Sequence, residues 1–334
     1  MSTYKEAGVD IEKADKIVDS IKMLWPEIGM FGGKFEIGPH IKGMNNPILI
    51  SSIDGVGTKT KIATHLNDYT AVGCDIVNHC VNDIIVHGAK PLFFMDYIAS
   101  SNLNPDMVSM VLLNMATACR ENDLQVVGGE TAEMPGVYEK GEFDIVGSVV
   151  GVVDKKDLID GSTIEEGDLL IGLASAGLHT NGFSLVNKIL KDLREEKISN
   201  ANPMKPLDPH VLYFPHKSYY KDISLLVHKD IDIKGIAHIT GGGIADNLAR
   251  IIPEDLTAVV EKGSWPVLPI FQAIQDHGIS EEEMFNVFNM GLGMILVVNK
   301  RHVNMVFENI ENSFLIGSIE RSEQKREKVV FNKE

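Results

Sequence analysis

Short apolar runs that end in glycine-bearing loops and continue as helical segments recur along this chain. The first run, residues 47–50, leads into the loop Asp54-Gly55-Val56-Gly57-Thr58-Lys59. Apolar runs of this length predict buried strands, and strands that alternate with helical segments predict an α/β fold. The two glycines let the loop turn tightly and bring its backbone N–H groups close to an anion. The loop is therefore either a Mg²⁺-phosphate site or a plain Asp-Gly turn.

The polar side chains of this loop suit the first alternative. Asp54 follows the strand and could hold a cation, while Thr58 offers a hydroxyl group and Lys59 a mobile positive charge. The spacing differs from that of the Walker loop, which requires Gly-x4-Gly-Lys followed by Ser or Thr.

Residues 75–87 are predicted to form a helix that ends at Gly88. At 100° per residue its apolar side chains share one broad face, and short polar side chains form a narrow opposite arc. The arc comprises Asp75, Asn78, His79, Asn82 and Asp83. Carboxylates, amides and imidazoles are ligand types for metals and phosphate-linked water, although such arcs also occur on plain surface helices.

Three further predicted strands end in similar loops. The strand at 124–127 leads to Gly128-Gly129-Glu130-Thr131, and the strand at 169–174 leads to Gly177-Leu178-His179-Thr180-Asn181-Gly182. The strand at 236–240 runs into Gly241-Gly242-Gly243, a suitable anion cradle where a helix begins. The polar, turn-rich stretch 154–167 is the best domain boundary. We therefore predict an α/β (α+β) protein with two α/β domains, residues 1–165 and 166–334.

Composition limits the functional class. The chain has 334 residues, 44% hydrophobic content and a formal net charge of −16, which argues against a nucleic-acid surface. It contains no run of eighteen apolar residues and no secretory leader pattern, so we expect neither a membrane span nor export. Its three cysteines lack Cys-x-x-Cys spacing, which fits a reducing cytoplasm.

Together these loops are much more specific than any one of them, and they resemble the AIR synthetase (phosphoribosylformylglycinamidine cyclo-ligase) family. The similarity begins at Tyr4-Lys5-Glu6-Ala7-Gly8-Val9-Asp10-Ile11 and includes Cys80-Val81-Asn82-Asp83 and the glycine loops above. It ends at His238-Ile239-Thr240-Gly241-Gly242-Gly243 and Phe288-Asn289-Met290-Gly291-Leu292-Gly293-Met294. The family shares an ATP-binding superfamily with formylglycinamidine synthetase, selenophosphate synthetase and thiamine-monophosphate kinase.

The resemblance implies an N-terminal domain that pairs its sheet across a homodimer and a C-terminal domain with a mixed sheet flanked by helices. It also implies ATP-dependent cyclisation of formylglycinamidine ribonucleotide to aminoimidazole ribonucleotide, with release of ADP and phosphate through an iminophosphate. The implied cofactors are ATP and Mg²⁺, in a cytoplasmic enzyme of purine biosynthesis.

The same resemblance implies roles for individual residues. The residues implied in catalysis are His179, Asp83 and Lys59, and those implied as metal ligands are Asp54, Asp83 and Glu130. Nucleotide contacts are implied for Lys22, Gly32, Gly33, Asp54, Gly55, Gly57, Thr58, Lys59 and Asn82. Substrate contacts are implied for Glu130, Thr131, Asn181, Gly241, Gly242 and Gly243. From the residues alone, Gly32 and Gly33 could equally belong to a surface loop, and His179 could be an incidental loop histidine.

One segment departs from the family pattern. A Pro-Thr-Arg-like segment is usual before the helix near residue 217, where this chain has Pro215-His216-Lys217. Lys217 would supply the positive charge of the arginine without its fork-shaped donor group. Two alternatives to cyclisation are another ATP-using enzyme of the superfamily and a catalytically silent paralogue. The silent paralogue should lack Asp54, Asp83 or His179, all of which are present.

Overall fold

A computed structural model describes residues 25, 28, 31–199, 207–322 and 327–332. The chain divides into two compact units, Met1–Ile84 with Lys90–Lys155 and Ile85–Ala89 with Lys156–Glu334. The division at 155/156 lies within the predicted linker 154–167, and the predicted domain boundary at 165/166 stays a prediction. In the described part of the chain, no helix is long and apolar enough to cross a membrane.

The first unit contains a four-stranded sheet in the order β1-β4-β2-β3. Its strands are β1 (Pro47–Gly55), β2 (Lys90–Ser100), β3 (Gln125–Glu133) and β4 (Phe143–Asp154). Strand β4 is antiparallel to β1 and β2, and β2 is parallel to β3. The described residues from 31 to 155 form three α-helices: α1 (Thr60–Leu66), α2 (Thr70–Ile85) and α3 (Pro105–Glu121). Short 3-10 helices cover Gly38–His40, Gly57–Lys59 and Lys155–Asp157.

The two faces of this sheet have different surroundings. Along residues 143–150 of β4, Phe143, Ile145 and Val149 are buried, while the alternate residues are only half-buried. Side chains alternate between faces along a strand, so the buried set defines one covered face and the others define an open face. The open face carries Ile53 and Met95, which are exposed apolar side chains.

The second unit contains a six-stranded mixed sheet in the order β10-β7-β9-β5-β8-β6, in which only the β10–β7 pair is parallel. Its strands are β5 (Leu169–Ala174), β6 (Ile233–His238), β7 (Leu256–Glu261), β8 (Leu292–Val298), β9 (Ser313–Arg321) and β10 (Val329–Asn332). Its helices are α4 (Phe183–Ser199), α5 (Pro209–Leu212), α6 (Tyr220–His228), α7 (Gly243–Ala249), α8 (Pro269–Gln275), α9 (Glu281–Val287) and α10 (Val303–Asn309). A 3-10 helix covers Lys300–His302.

These elements confirm the predicted α/β class and the mixed C-terminal sheet. Helix α3 begins as its sequence predicts, because the Asn104 side chain accepts hydrogen bonds from the backbone N–H groups of Asp106 and Met107. Helix α2 extends from residue 70 to 85, earlier at both ends than the predicted 75–87. Its polar arc is largely buried, with Asp75 and Asn82 fully inaccessible, so it is not a plain surface face.

Candidate active site

Four polar side chains of the first unit form a carboxylate–histidine cluster: Ser52, Asp54, His79 and Asp83. Ser52 and Asp54 are two residues apart on β1, so both project from the same face of the sheet. His79 and Asp83 are four residues apart on α2 and therefore share a helix face. Ser52 had no predicted role and His79 was predicted only as a member of the polar arc, although the same two periodicities place both beside the carboxylates.

Two hydrogen bonds join the strand to the helix in this cluster. His79 Nε2 lies 2.8 Å from Asp54 Oδ2, and the Ser52 hydroxyl donates to Asp83 Oδ2 at 2.9 Å. The backbone N–H of Gly55 donates to Asp54 Oδ1 at 2.7 Å. The loop after β1 is therefore held against α2 through its polar side chains.

The charges in the cluster shift the pKa values of its members. Burial by itself raises the pKa of Asp54, but the hydrogen bond and positive charge of His79 outweigh it, so the Asp54 pKa lies below its ordinary value. Burial lowers the pKa of His79, but Asp54, with Asp83 and Asp75, more than reverses this and raises it. The imidazolium thus supplies positive charge beside two carboxylates.

The donor set of this cluster fits a hard divalent cation. Asp54 and Asp83 offer carboxylate oxygens and Ser52 a hydroxyl oxygen, which are the ligand types that Mg²⁺ prefers. Glu130 does not fit the same site within one chain. In the sheet register Glu130 aligns with Tyr97, then Val146, then Gly55, so three strand spacings, roughly 14 Å, separate it from the end of β1.

The register also places Glu130 on the open face of the sheet. Gly55 and Glu130 occupy aligned positions in the sheet register, and aligned positions face the same side of a sheet. Because Asp54 precedes Gly55 in β1, the side chains of Asp54 and Glu130 point to opposite faces. Thr131 follows Glu130 on β3 and points to the covered face. The three predicted metal ligands therefore do not bind one ion within a single chain.

The environment of Lys59 differs from that expected of a lysine that contacts phosphate. Its side chain is fully buried, and Nζ lies 3.0 and 2.8 Å from the two carboxylate oxygens of Asp75, which is also fully buried. Burial lowers the pKa of Lys59, and the charge of Asp75 opposes this shift. Contact with a phosphate would require breaking this buried ion pair, so the geometry assigns Lys59 to the core of the unit.

The other predicted nucleotide contacts fall in three places. Gly57 and Thr58 line a cleft of about 460 Å³ whose walls include Lys61, Lys140 and Asp144. Asn82 is fully buried on α2. Gly32 is exposed, whereas Gly33 lies so close to the backbone of Val127 that a Cβ atom there would lie 2.5 Å from the Val127 carbonyl oxygen. Lys22 lies outside the described residues.

The second unit contains an imidazole cluster formed by His179, His216 and His238. His179, in the loop after β5, is 1% exposed and adopts a left-handed backbone with φ of 60°. Its Nε2 accepts a hydrogen bond from the Ala176 backbone N–H at 3.1 Å. This turn holds the ring in the interior, and the predicted role of His179 stays a prediction.

Asn181 lies near the glycine loop that follows β6. A Cβ atom at Gly241 would lie 3.5 Å from Asn181 Oδ1. The Asn181 Nδ2 group is buried and has no hydrogen-bond partner among the described residues. A buried amide donor normally has an acceptor, so this group points to a ligand oxygen or a water molecule. The structure thus brings together two of the predicted substrate contacts.

Local structure alone accounts for glycine at two of the three positions after β6. Gly242 and Gly243 adopt φ of 92° and 65°, and a Cβ at Gly243 would collide with the Phe285 carbonyl oxygen. The N–H of Gly243 already donates to the Thr240 carbonyl at 3.1 Å. A Cβ at Gly242 would lie 2.7 Å from an Asp246 carboxylate oxygen, which disfavours an anion at that point. The predicted phosphate contact at these glycines stays a prediction.

Comparison with known proteins places this geometry in a family. A family model described as AIR synthase related protein, N-terminal domain, matches residues 42–153, and one described as its C-terminal domain matches residues 165–329. A protein of Clostridium tetani named phosphoribosylformylglycinamidine cyclo-ligase is 43% identical over 341 residues, covering 97% of this chain and 99% of that protein.

Solved structures share the fold at low sequence identity. The Escherichia coli protein HypE has a TM-score of 0.70 and 15% identity, with 97% of this chain and 93% of that chain covered. A second similar structure is the hydrogenase maturation protein HypE in complex with ATP, with a TM-score of 0.62 and 18% identity over 86% of this chain and 82% of that chain. At these identities the similarity shows the fold alone.

Proposed function

The chain belongs to the AIR synthase related family, and we propose that it is a phosphoribosylformylglycinamidine cyclo-ligase of purine biosynthesis in the cytoplasm. The observation that carries the proposal is the 43% identity, over nearly the full length of both chains, to a protein of that name. The fold similarity to a HypE protein in complex with ATP supports ATP as the second substrate.

The proposed reaction converts a poor leaving group into a good one. The amide oxygen of formylglycinamidine ribonucleotide attacks the γ-phosphorus of ATP while the amide nitrogen loses its proton, which releases ADP and forms an iminophosphate. An internal nitrogen then attacks the activated carbon and loses a proton, and phosphate leaves as the imidazole ring closes. Catalysis therefore requires stabilisation of phosphoryl charge and alignment of two groups of one substrate.

The carboxylate–histidine cluster fits the first requirement. Asp54 and Asp83 would hold Mg²⁺, with Ser52 orienting Asp83 through the hydrogen bond described above. When bound, the ion would neutralise negative charge on the phosphates. Within the chain itself, His79 fixes the Asp54 carboxylate and supplies positive charge beside it. Thr58 and Lys61, which line the neighbouring cleft, are the residues we propose for nucleotide contacts there.

Residues of the second unit suit the other requirement, which is the alignment of two groups of one substrate. The buried Asn181 amide can donate to an oxygen of the ribonucleotide, and we propose Gly241 beside it as a backbone contact. His179 is proposed to polarise the amide or accept the ring-closure proton, because imidazole changes protonation near neutral pH. Glu130 and Thr131, which lie away from the cation site of the same chain, remain proposed substrate contacts.

The test is ADP release from ATP and Mg²⁺ with and without formylglycinamidine ribonucleotide, with aminoimidazole ribonucleotide measured alongside. We expect substrate-dependent ADP and an equal amount of product. Asp83→Asn and His179→Ala should each lower kcat by roughly 100-fold or more. Asp157→Asn and His228→Ala, at exposed positions, are the matched controls and should retain activity.

Other outcomes of this assay would contradict the proposal. ADP release without ring closure would identify a kinase-like relative. Nucleotide binding without any turnover would identify a silent paralogue. Full activity in Asp83→Asn would remove the cation site from the mechanism while leaving the overall reaction in place.

We also propose that the open face of the first sheet pairs with a second copy of the chain. Ile53 is 71% exposed and Leu49 57% exposed, and both belong to the edge strand β1. Apolar side chains exposed along a sheet are typical of an interface. Light scattering should give about twice the chain mass of 36.7 kDa. Ile53→Lys should shift the protein toward monomer, whereas Leu225→Lys, on a helix of the second unit, should not.

A further inference from the structure

The imidazole cluster contains one member to which the proposed mechanism assigns no role, His216. This residue lies in the segment before α6 and is 1% exposed. Its ring stacks on the ring of His179 with centroids 4.0 Å apart and an interplanar angle of 20°. Its centroid lies 5.2 Å from that of His238. His216 therefore occupies the centre of a buried array of three imidazoles.

Both ring nitrogens of His216 have hydrogen-bonding partners. Nδ1 lies 3.3 Å from the hydroxyl oxygen of Thr180, and Nε2 lies 3.1 Å from Nε2 of His238. A hydrogen bond between two imidazole nitrogens requires one N–H and one lone pair, so the two facing nitrogens share one proton. The tautomer of His216 consequently determines the tautomer of His238, and the hydroxyl of Thr180 completes the chain.

The position of His179 in this array is also restricted by Gly293 and Tyr219. A Cβ at residue 293 would collide with the Tyr219 hydroxyl and come 2.5 Å from His179 Cε1, so Gly293 leaves the space that both rings occupy. The Tyr219 hydroxyl donates to the Ala174 carbonyl at 2.8 Å. With His216 stacked on its face, the His179 ring has little freedom to move.

His216 thus connects the two loops that the proposed function assigns to the ribonucleotide. Thr180 lies between His179 and Asn181 in the first loop, and His238 ends the strand that leads to Gly241 in the second. The imidazole of His216 reaches both loops through opposite ring nitrogens.

We propose that His216 is a positioning residue that orients His179 by stacking and fixes the tautomer of His238 by a shared proton. The kinetic part of this inference rests on the proposed cyclo-ligase function. The hydrogen-bond part does not, because it concerns the protein without any substrate. His216 acts through its neighbours and is not proposed to touch the reacting atoms.

Nitrogen-15 NMR of the full chain with labelled histidines tests the hydrogen bond directly. We expect a scalar coupling between Nε2 of His216 and Nε2 of His238 across the shared proton in the substrate-free protein. The coupling should be lost in His216→Phe and retained in His210→Gln, which alters an exposed histidine of α5. Absence of the coupling in the unmodified protein would overturn the assigned pair.

Kinetics of two His216 variants test the positioning role. His216→Phe keeps a ring that can stack on His179 but removes both hydrogen bonds, and should lower kcat roughly 10- to 100-fold with KM changed less than about threefold. His216→Gln retains an amide that can donate to His238 and accept from Thr180 but removes the ring that stacks on His179, so it tests the stacking and should also lower kcat. Thermal unfolding of each variant verifies that the fold is retained.

The outcomes separate this inference from the proposed function. Wild-type kcat in His216→Phe would overturn the role of the hydrogen bonds, and wild-type kcat in His216→Gln would overturn the role of the stacking. If the unmodified protein shows the coupling but no cyclisation, the proposed function fails and the hydrogen-bonded pair stands. If cyclisation proceeds without the coupling, the inference fails and the function stands.

Discussion

The buried ion pair between Lys59 and Asp75 makes a quantitative prediction about the first unit. Both side chains are fully inaccessible, with Nζ 2.8 and 3.0 Å from the carboxylate oxygens. Replacing Lys59 by Met removes the ammonium group and leaves the Asp75 carboxylate in the core. The resemblance to the family implied a phosphate contact for Lys59, whereas the structure implies that its loss acts through folding.

The magnitude follows from the burial of the remaining charge. Removing one partner of a buried ion pair costs about 3–5 kcal/mol, because the other charge has lost its solvation and its counter-charge. For a unit of this size the unfolding midpoint should fall by on the order of 10 °C. The exposed pair Lys61–Glu142, at 3.0 Å with side chains 56% and 38% exposed, provides the control. Lys61→Met should cost about 0–1 kcal/mol.

Calorimetry and urea unfolding followed by circular dichroism measure both variants under the same conditions. The double variant Lys59→Met/Asp75→Leu should recover most of the loss, since apolar replacement of both partners is often close to neutral. A shift for Lys59→Met no larger than that for Lys61→Met would refute the reasoning. In that case the ammonium would not be needed in the core, and a direct contact with phosphate would again be the better explanation.

Three further changes have defined outcomes. In Asn104→Ala, loss of the cap on α3 should cost about 1 kcal/mol in urea unfolding, and equal stability would show that the cap is dispensable. The pKa of His79 in the folded protein is raised above its ordinary 6.5, so its contribution to stability is complete below pH 6.5 and is lost as the pH rises through the folded pKa. The difference in unfolding free energy between the unmodified protein and His79→Gln should therefore narrow from about pH 6.5 upward. A difference that does not change with pH would contradict the assigned ion pair. Burial raises the pKa of Asp96 to about 7. As the pH rises from about 4 to 7, the unmodified protein should therefore lose stability relative to Asp96→Asn. Parallel plots of unfolding free energy against pH for the two proteins would contradict that shift.

Much of the fold follows from local patterns. The strand at 169–174 occupies the predicted residues, and α3 begins at the side-chain cap of Asn104, because hydrophobic runs and capping chemistry act over a few neighbouring residues. Met107 and Met115 of α3 are buried in the core. Elements with weaker patterns were not predicted, notably α9 and β9. Only two of the nine residues of β9 are buried, so its sequence carries little periodic signal.

Local sequence patterns likewise predicted part of the candidate site and missed the rest. Residue type and spacing were enough to select Asp54 and Asp83 as candidate ligands, because strand and helix periods decide which side chains share a face. His179 was selected only through the resemblance to the family. They did not separate Lys59, a core cation, from a phosphate ligand, because both are lysines that follow a glycine loop. That distinction depends on Asp75, sixteen residues away, being brought to its Nζ.

Long-range register decided the remaining assignments. Three strand spacings and a change of sheet face separate Glu130 from Asp54. The sequence of either loop does not determine the strand order, so this separation could not be predicted from the loops. His216 became part of the candidate site only through contacts with residues 36 positions before it and 22 after it. Local chemistry is encoded within a few residues of the chain, whereas the partner of a buried charge or a shared proton is selected by packing between distant segments.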